Sequence, residues 1–471
     1  MDDLPEPEPG APRGNGASLQ GAGGARVLSA SQVSDLYLER HLGGLTRVAS
    51  LLGATLDVVA TDGAWLVLRD GSRVLDCHAS YGAVSFGHRH PALLEAARAS
   101  LEQMTTGLPG ILPSAGVAAL CRDLVQIAPE GIGRAILYNT GAETIEGALV
   151  LATLAQGKRD LFVGFEGGFH GKSAAARSVG GIPNERAGFP TWGRVETLPY
   201  GDAEALDALF ARHGARIAAV VVEPVQSNAG VRIPPEGWLA GLQDACRRAG
   251  ALLIADEVST GLGRTGEFFA CTSAGVTPDM ICVSKGMSGG LVPIGALLVG
   301  ERLAKITNSP RTASHFSTTF AGGDLACSVA LEVCRLLVQD RLPDRVRASG
   351  QRLESGLRAV QARHPRLLRD VRGRGHLWAI ELADPADLPK LLKLNGLSGF
   401  LADRVGGTLA IVFQRYLLKH CGVLAGPTVG DRRVVRFFPS LLAEQRDQDA
   451  LLSGLSAAFD AGVSTWVRKL K

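Results

Sequence analysis

A chain of 471 residues, 46% hydrophobic and 20% charged, can bury a sizeable core, and disorder is not its default. Its length suggests roughly three domain-sized units or a large two-domain enzyme. The 49 basic and 46 acidic side chains nearly cancel to +3, which gives no electrostatic reason to expect nucleic acid or an anionic membrane as partner. Eight scattered cysteines form no C-x-x-C pair, so they point to neither a zinc framework nor a redox motif. They read as small buried hydrophobes in a reducing compartment. No apolar run approaches the roughly 18 residues of a membrane span.

Residues 1–27, "MDDLPEPEPGAPRGNGASLQGAGGARV", are acidic and then rich in Pro, Gly and Ala. Without a basic start and apolar middle they read as a flexible tail rather than a signal peptide, and the protein is expected to be soluble and cytoplasmic. Residues 28–90 are expected to contribute to a smaller domain, with two strands around the turn Asp70-Gly71 in "AWLVLRDGSRVLDCH". "HPALLEAARASLEQM" and "SAGVAALCRDLVQIA" have helical spacing. From Arg134 the short apolar runs "RAILYN", "DLFVGF", "IAAVVVEPV", "ALLIADEV", "MICVSK" and "IGALLVG" recur, several with helical segments between them. Runs apolar on both faces and joined by helices predict an α/β domain over 91–340, a mostly parallel sheet covered by helices. Long amphipathic helices and a few strands over 341–471 predict a smaller α+β domain.

In such sheets ligands sit beyond the carboxyl ends of the strands, so the residues that end these runs come first: Asn139, Phe165, Glu223, Asp256 and Lys285. A lysine ending a buried strand either snorkels to solvent or serves as a Schiff-base amine. Asp256, 29 residues earlier, either caps a turn or faces a heteroaromatic nitrogen, keeping it protonated and making the ring an electron sink. "YNTGAETIEGAL" is either a Thr-capped helix or a phosphate cradle built from Thr140, Gly141 and Ala142. "GFEGGFHGKS" offers Phe169 to stack on a planar group, with His170 beside it, and "HFSTTFAGGD" offers Thr319 to a phosphate. His88 and His90 in "GHRHP" lack a third ligand and read as a structural turn, not a metal site. "VRGRG" reads as a Gly-rich turn with solvated or ion-paired arginines.

In chain order these segments are T-G-A-E, F-H-G, V-V-E-P-V-Q, A-D-E-V, S-K-G and T-T-F-A-G-G. Together they closely resemble the class III aminotransferases, fold type I enzymes that include ornithine and 4-aminobutyrate aminotransferases. The resemblance runs from about Ala64 to the C-terminus, and "DEVSTGLGRTGEFFA" fits the family pattern D-E-V-x-T-G-x-G-R-T-G. It implies pyridoxal 5'-phosphate as cofactor, with Lys285 as Schiff-base and proton-transfer residue and Asp256 paired with the pyridine nitrogen. Val258 and Phe169 would sandwich the ring, with His170 and Glu223 near it. Gly141 and Ala142 would hold the phosphate, and Thr319 would reach in from the second subunit of a homodimer. Tyr81 and Arg436 would meet the substrate. The implied reaction moves an amino group, expected to be a terminal one, from a small-molecule donor to a keto or aldehyde acceptor by way of pyridoxamine phosphate. The same scaffold supports racemases, aminomutases and decarboxylases; a non-catalytic binding homologue is the alternative of another class.

Three departures bear on substrate. "EPVQSNAG" places Asn228 where ornithine- or aminobutyrate-type members carry a glutamate that pairs with the C-terminal arginine, so Arg436 is expected to lack that partner. Ser259 replaces the family's usual glutamine, and Gly323 and Asp324 replace the usual asparagine and proline. They point to an amine or aldehyde partner outside core ornithine and aminobutyrate metabolism.

Overall fold

The computed structural model describes residues 30–103, 107–383 and 408–469; the expected tail over 1–27 lies outside the described residues. The chain divides into two compact units, Met1–Asp57 and Val58–Lys471. The described part of the first unit consists mainly of two helices, Ala30–Arg40 and Gly43–Leu52. Among the described residues no helix is long and apolar enough to cross a membrane.

The second unit opens with β1 (Val58–Asp62), β2 (Trp65–Leu68) and β3 (Arg73–Asp76), paired antiparallel in sequence. The turn expected at Asp70-Gly71 joins β2 to β3, and Asp70 Oδ1 closes it by accepting from Ser72 N at 2.9 Å. The central sheet follows: β4 (Ile132–Tyr138), β5 (Leu161–Phe165), β6 (Arg194–Leu198), β7 (Ile217–Val222), β8 (Leu252–Asp256), β9 (Met280–Val283) and β10 (Gly295–Gly300). Their order is β4-β10-β9-β8-β7-β5-β6, with β10 antiparallel to both its neighbours and every other pairing parallel. This is the α/β class expected. The edge strand β6, reading RVETL, escaped the sequence reading because an edge strand can stay half polar; none of its residues is fully buried.

Alternate residues of the inner strands serve two cores, which is why these runs show no polar alternation. Val220, Val222, Leu253, Ile281 and Val283 join one cluster with Leu120 and Leu242. Ala219, Val221, Ile254, Met280 and Cys282 join the other with Ile145 and Leu149 of helix Gly141–Gln156. Burial of each such Val, Leu or Ile contributes about 1.5–3 kcal/mol.

The chain closes with β11 (Leu368–Arg374), β12 (Leu377–Leu382), β13 (Val423–Leu424), β14 (Gly426–Pro427) and β15 (Val434–Phe437). Four of these form an antiparallel sheet in the order β11-β12-β15-β14. Leu353, Phe413, Phe459 and Trp466, from the three long C-terminal helices, pack with its Ile380 and Phe437. β13 runs parallel to β3, so the order β1-β2-β3-β13 makes a second four-stranded sheet from the two ends of this unit.

Candidate active site

Register brings the strand ends together. Ala255 lies opposite Val222 on β7, and Asp256 opposite Cys282 on β9, so Glu223, Asp256 and Lys285 leave three adjacent parallel strands at the same edge. The two acids that end β8 then part. Glu257, 1% exposed, anchors the following loop by accepting from Cys271 N at 2.8 Å and from the Thr260 hydroxyl. Asp256 accepts from Val258 N at 3.0 Å on Oδ1, and its Oδ2 is 2.7 Å from His170 Nδ1. The nitrogen facing a carboxylate must be the donor, so His170 holds Asp256 from behind. Burial disfavours the His170 cation, yet the bond to Asp256 and its charge prevail and raise the imidazole pKa.

Glu223 is fixed by two backbone donors, Phe169 N at 2.9 Å and Ser227 N at 3.2 Å, and burial raises its pKa. Burial, with the Arg436 charge adding to it, lowers the Lys285 amine to about 8 against the pull of Asp256 and Glu223. About a tenth of the amine is therefore neutral at pH 7. Lys285 Nζ donates to Ser259 Oγ at 2.6 Å, so the serine standing in the glutamine's place engages the amine itself.

Helix Gly141–Gln156 enters this edge with a full capping box: Thr140 Oγ1 accepts from Glu143 N at 3.2 Å, and Glu143 Oε2 accepts from Thr140 N at 2.9 Å. The Thr140 hydroxyl serves the helix, so the amides of Gly141 and Ala142 are what this N-terminus presents to an anion. A Cβ on Gly141 would fall 2.9 Å from both Val258 methyls, and one on Gly171 would fall 2.7 Å from Ala142 Cβ. Gly141, Ala142, the Phe169–Gly171 loop and Val258 therefore converge. Thr319 is exposed; its neighbour Thr318 reaches the helix entrance by accepting from Asn139 Nδ2 at 3.1 Å.

At the other end Arg436 is 1% exposed. Its Nη1 donates to Ser227 Oγ and Asn228 Oδ1, both at 2.9 Å, and its buried Nε has no partner among the described residues. Burial lowers its pKa although Glu223 opposes this. The glutamate expected to be missing has been replaced by two neutral acceptors. Tyr81, half exposed, packs edge-on against His78 at 4.4 Å and sits on an unusual backbone. Ala79, Ser80, Tyr81 and Gly82 have φ of 48°, 48°, 60° and 87°, one left-handed turn closed by Gly82 N to His78 O at 3.2 Å. Such backbone costs about 1–2 kcal/mol per non-glycine residue. Asp76 Oδ1 holds it through Ala79 N at 2.8 Å, and Arg264 Nη2 through the Gly82 carbonyl at 3.4 Å.

Sequence reasoning missed Ser227, His78 and Phe438; the signal that could have found the last is its two-residue spacing from Arg436. His88 pairs with Asp76 at 2.9 Å, and Arg372 with Asp370 and Glu381 at 2.8 and 2.7 Å.

The sequence matches the family described as aminotransferase class-III over residues 50–459. The chain belongs to the class-III aminotransferases. It is therefore a transaminase with pyridoxal 5'-phosphate as cofactor. The ornithine aminotransferase from Toxoplasma gondii ME49 is 26% identical with a TM-score of 0.78, covering 95% of this chain and 98% of that one. An (S)-enantioselective omega-transaminase from Thermomicrobium roseum is 26% identical with a TM-score of 0.79, over 92% and 99%. An amine transaminase from an uncultivated Pseudomonas species, in its PLP-bound form, is 28% identical with a TM-score of 0.74, over 86% and 94%. The residues at the strand edge fit the cofactor: a buried carboxylate, a half-buried lysine of lowered pKa, a helix N-terminus, and at that N-terminus a glycine, Gly141, whose Cβ would crowd Val258.

Proposed function

We propose that this aminotransferase works at the strand edge around Lys285, taking a terminal amino group from a carboxylate-bearing donor and passing it to a keto or aldehyde acceptor. The observation that carries the reading is a half-buried Lys285 of lowered pKa in the field of Asp256, with an incompletely paired Arg436 guanidinium in the same field. Lys285 Nζ would hold the cofactor, Asp256 its ring nitrogen, and the amides of Gly141 and Ala142 its phosphate. Val258 and Phe169 would flank the ring. When bound, pyridoxal phosphate supplies a carbonyl to condense with the amine and a protonated ring that accepts electron density.

His170 keeps Asp256 oriented. Lys285 Nζ would carry the proton between the substrate carbon that bears nitrogen and the cofactor's carbonyl carbon, for which a pKa of about 8 suits it. Arg436 Nε receives the substrate carboxylate, and Tyr81 borders the entrance. Glu223 stays with its two backbone donors.

The partner set we propose includes a second copy of the chain, with Thr319 of each subunit at the other's phosphate. Support comes from a patch of apolar side chains flanking Thr319: Phe320 is 67% exposed, and Ile111 and Leu112 are 100% and 60% exposed. Asp324 N donates to Gly107 O at 2.9 Å, which joins the two segments. Sedimentation equilibrium of the wild type and of Ile111→Asp tests it; a monomeric wild type would refute it. We also group β1–β3 with the C-terminal sheets as one smaller domain. The eight cysteines, all free, support a cytoplasmic location.

The test of function is a single addition of glutamate, alanine, ornithine or a simple terminal amine to the loaded enzyme, with pyridoxamine phosphate quantified after quenching. Stoichiometric pyridoxamine phosphate with one donor names that donor. Exchange of the substrate's carbon-bound hydrogen, with no pyridoxamine phosphate from any donor, would overturn the reading.

A further inference from the structure

Phe438 has no part in the reaction described above, yet it touches both guanidiniums buried near the site. It lies two residues beyond Arg436, on the same face of the chain as β15 ends. The Arg436 guanidinium carbon is 4.7 Å from the centroid of the Phe438 ring, and that of Arg264 is 5.6 Å from it. The same ring abuts the left-handed turn: a Cβ on Gly82 would fall 2.8 Å from a ring carbon. Phe438 N donates to Cys77 O at 2.6 Å, which ties the ring's own backbone to the segment leading into that turn. The side chain is 1% exposed and so cannot turn aside without disturbing all three neighbours.

Arg436 is thereby held on two sides. Ser227 and Asn228 take Nη1, and the guanidinium carbon lies over the face of the Phe438 ring. A guanidinium over a desolvated aromatic face is attracted to it more strongly than at an exposed site. Arg264, bonded to the carbonyls of His376, Pro439 and Gly82, is itself fixed and backs the ring. Nε of Arg436 is left without a partner. We propose that Phe438 is a positioning residue that fixes the plane of the Arg436 guanidinium, so that the enzyme recognises carboxylate-bearing substrates through a stationary cation rather than one that swings aside. The proposal rests on the reading that Arg436 meets the substrate carboxylate, and it adds a cause for that specificity.

The test needs no known substrate. Aminooxyacetate and O-methylhydroxylamine both condense with the cofactor's carbonyl carbon and release the Lys285 amine, and only the first carries a carboxylate. Their second-order rates with the loaded enzyme, followed by absorbance, give a ratio that reports the carboxylate contact alone. The wild type is expected to favour aminooxyacetate, and Arg436→Gln to erase that preference. Phe438→Leu is expected to lower the ratio about tenfold through the slower rate of aminooxyacetate, and Phe438→Tyr, which keeps the ring, to retain most of it. Phe438→Met fills the space if the leucine variant does not fold. A preference that is absent in the wild type, or that survives Arg436→Gln, would sink the reading of Arg436. A preference erased by Arg436→Gln but intact in Phe438→Leu and Phe438→Met would sink the positioning role alone. Equal slowing of both probes in the Phe438 variants would make Phe438 a packing residue and overturn the proposal.

Discussion

At the Lys285 end the buried carboxylate Asp256 meets an imidazole at 2.7 Å, and Glu223 rests on two backbone amides. At the Arg436 end an equally buried guanidinium rests on a serine, an asparagine and a phenyl ring. The first arrangement is satisfied before any substrate arrives and suits a resident group that every substrate must meet. The second leaves the Arg436 Nε open, which suits an incoming anion. Asp256 has a charged partner inside the protein, whereas Arg436 has only neutral ones, which on our reading leaves it to select what the chemistry acts upon.

Breaking the first end costs most. Lys285→Ala is expected to lower transamination by roughly four orders of magnitude, read as single-turnover formation of pyridoxamine phosphate. Asp256→Asn leaves the shape and removes the charge; a loss of roughly 10²–10³ in the same assay is expected. At the second end, Asn228→Glu supplies the anion from within. The KM for carboxylate-bearing donors should then rise about tenfold, while kcat changes little. Cofactor uptake by the apoprotein sharpens the contrast through pH. Only the neutral Lys285 amine reacts, and burial sets its pKa at about 8, so the uptake rate should rise with pH and level off above that value. Between pH 7 and pH 8 the gain is about fivefold. A rate that keeps climbing tenfold per unit to pH 10 would mean an unperturbed lysine. Gly82→Ala probes the wall behind Arg436: a methyl group 2.8 Å from the Phe438 ring, on left-handed backbone, should destabilise the fold by about 1–3 kcal/mol and lower the thermal midpoint.

The sequence revealed the two ends unequally, for a physical reason. Asp256, Glu223 and Lys285 end strands buried on both faces, and such runs advertise themselves because no polar residue interrupts them. Helix Gly141–Gln156 likewise announced its start through Thr140. The Arg436 end is assembled from Gly82, Ser227, Asn228, Arg264 and Phe438, which are distant in the chain and lie mostly in turns. No periodicity connects them. The departure at Asn228 was legible as a missing carboxylate, but its consequence, a guanidinium shared between Ser227 and Asn228, needed the fold. β6 was lost for the opposite reason: it sits at the sheet edge, where half-polar residues hide a strand.

The turn over Ala79–Gly82 has one more implication. Three L-residues there occupy the mirror image of ordinary helical backbone. The usual chiral preference of the chain is inverted over that run of consecutive residues, whereas Arg89, Val231, Leu262 and Arg341 adopt positive φ singly. A D-alanine introduced at the exposed Ser80 by chemical ligation would sit at ease in it, while the same stereocentre placed within helix Gly141–Gln156 would disrupt the helix. The segment that carries Tyr81 is thus a site in this enzyme where reversed handedness should make the protein more heat-tolerant.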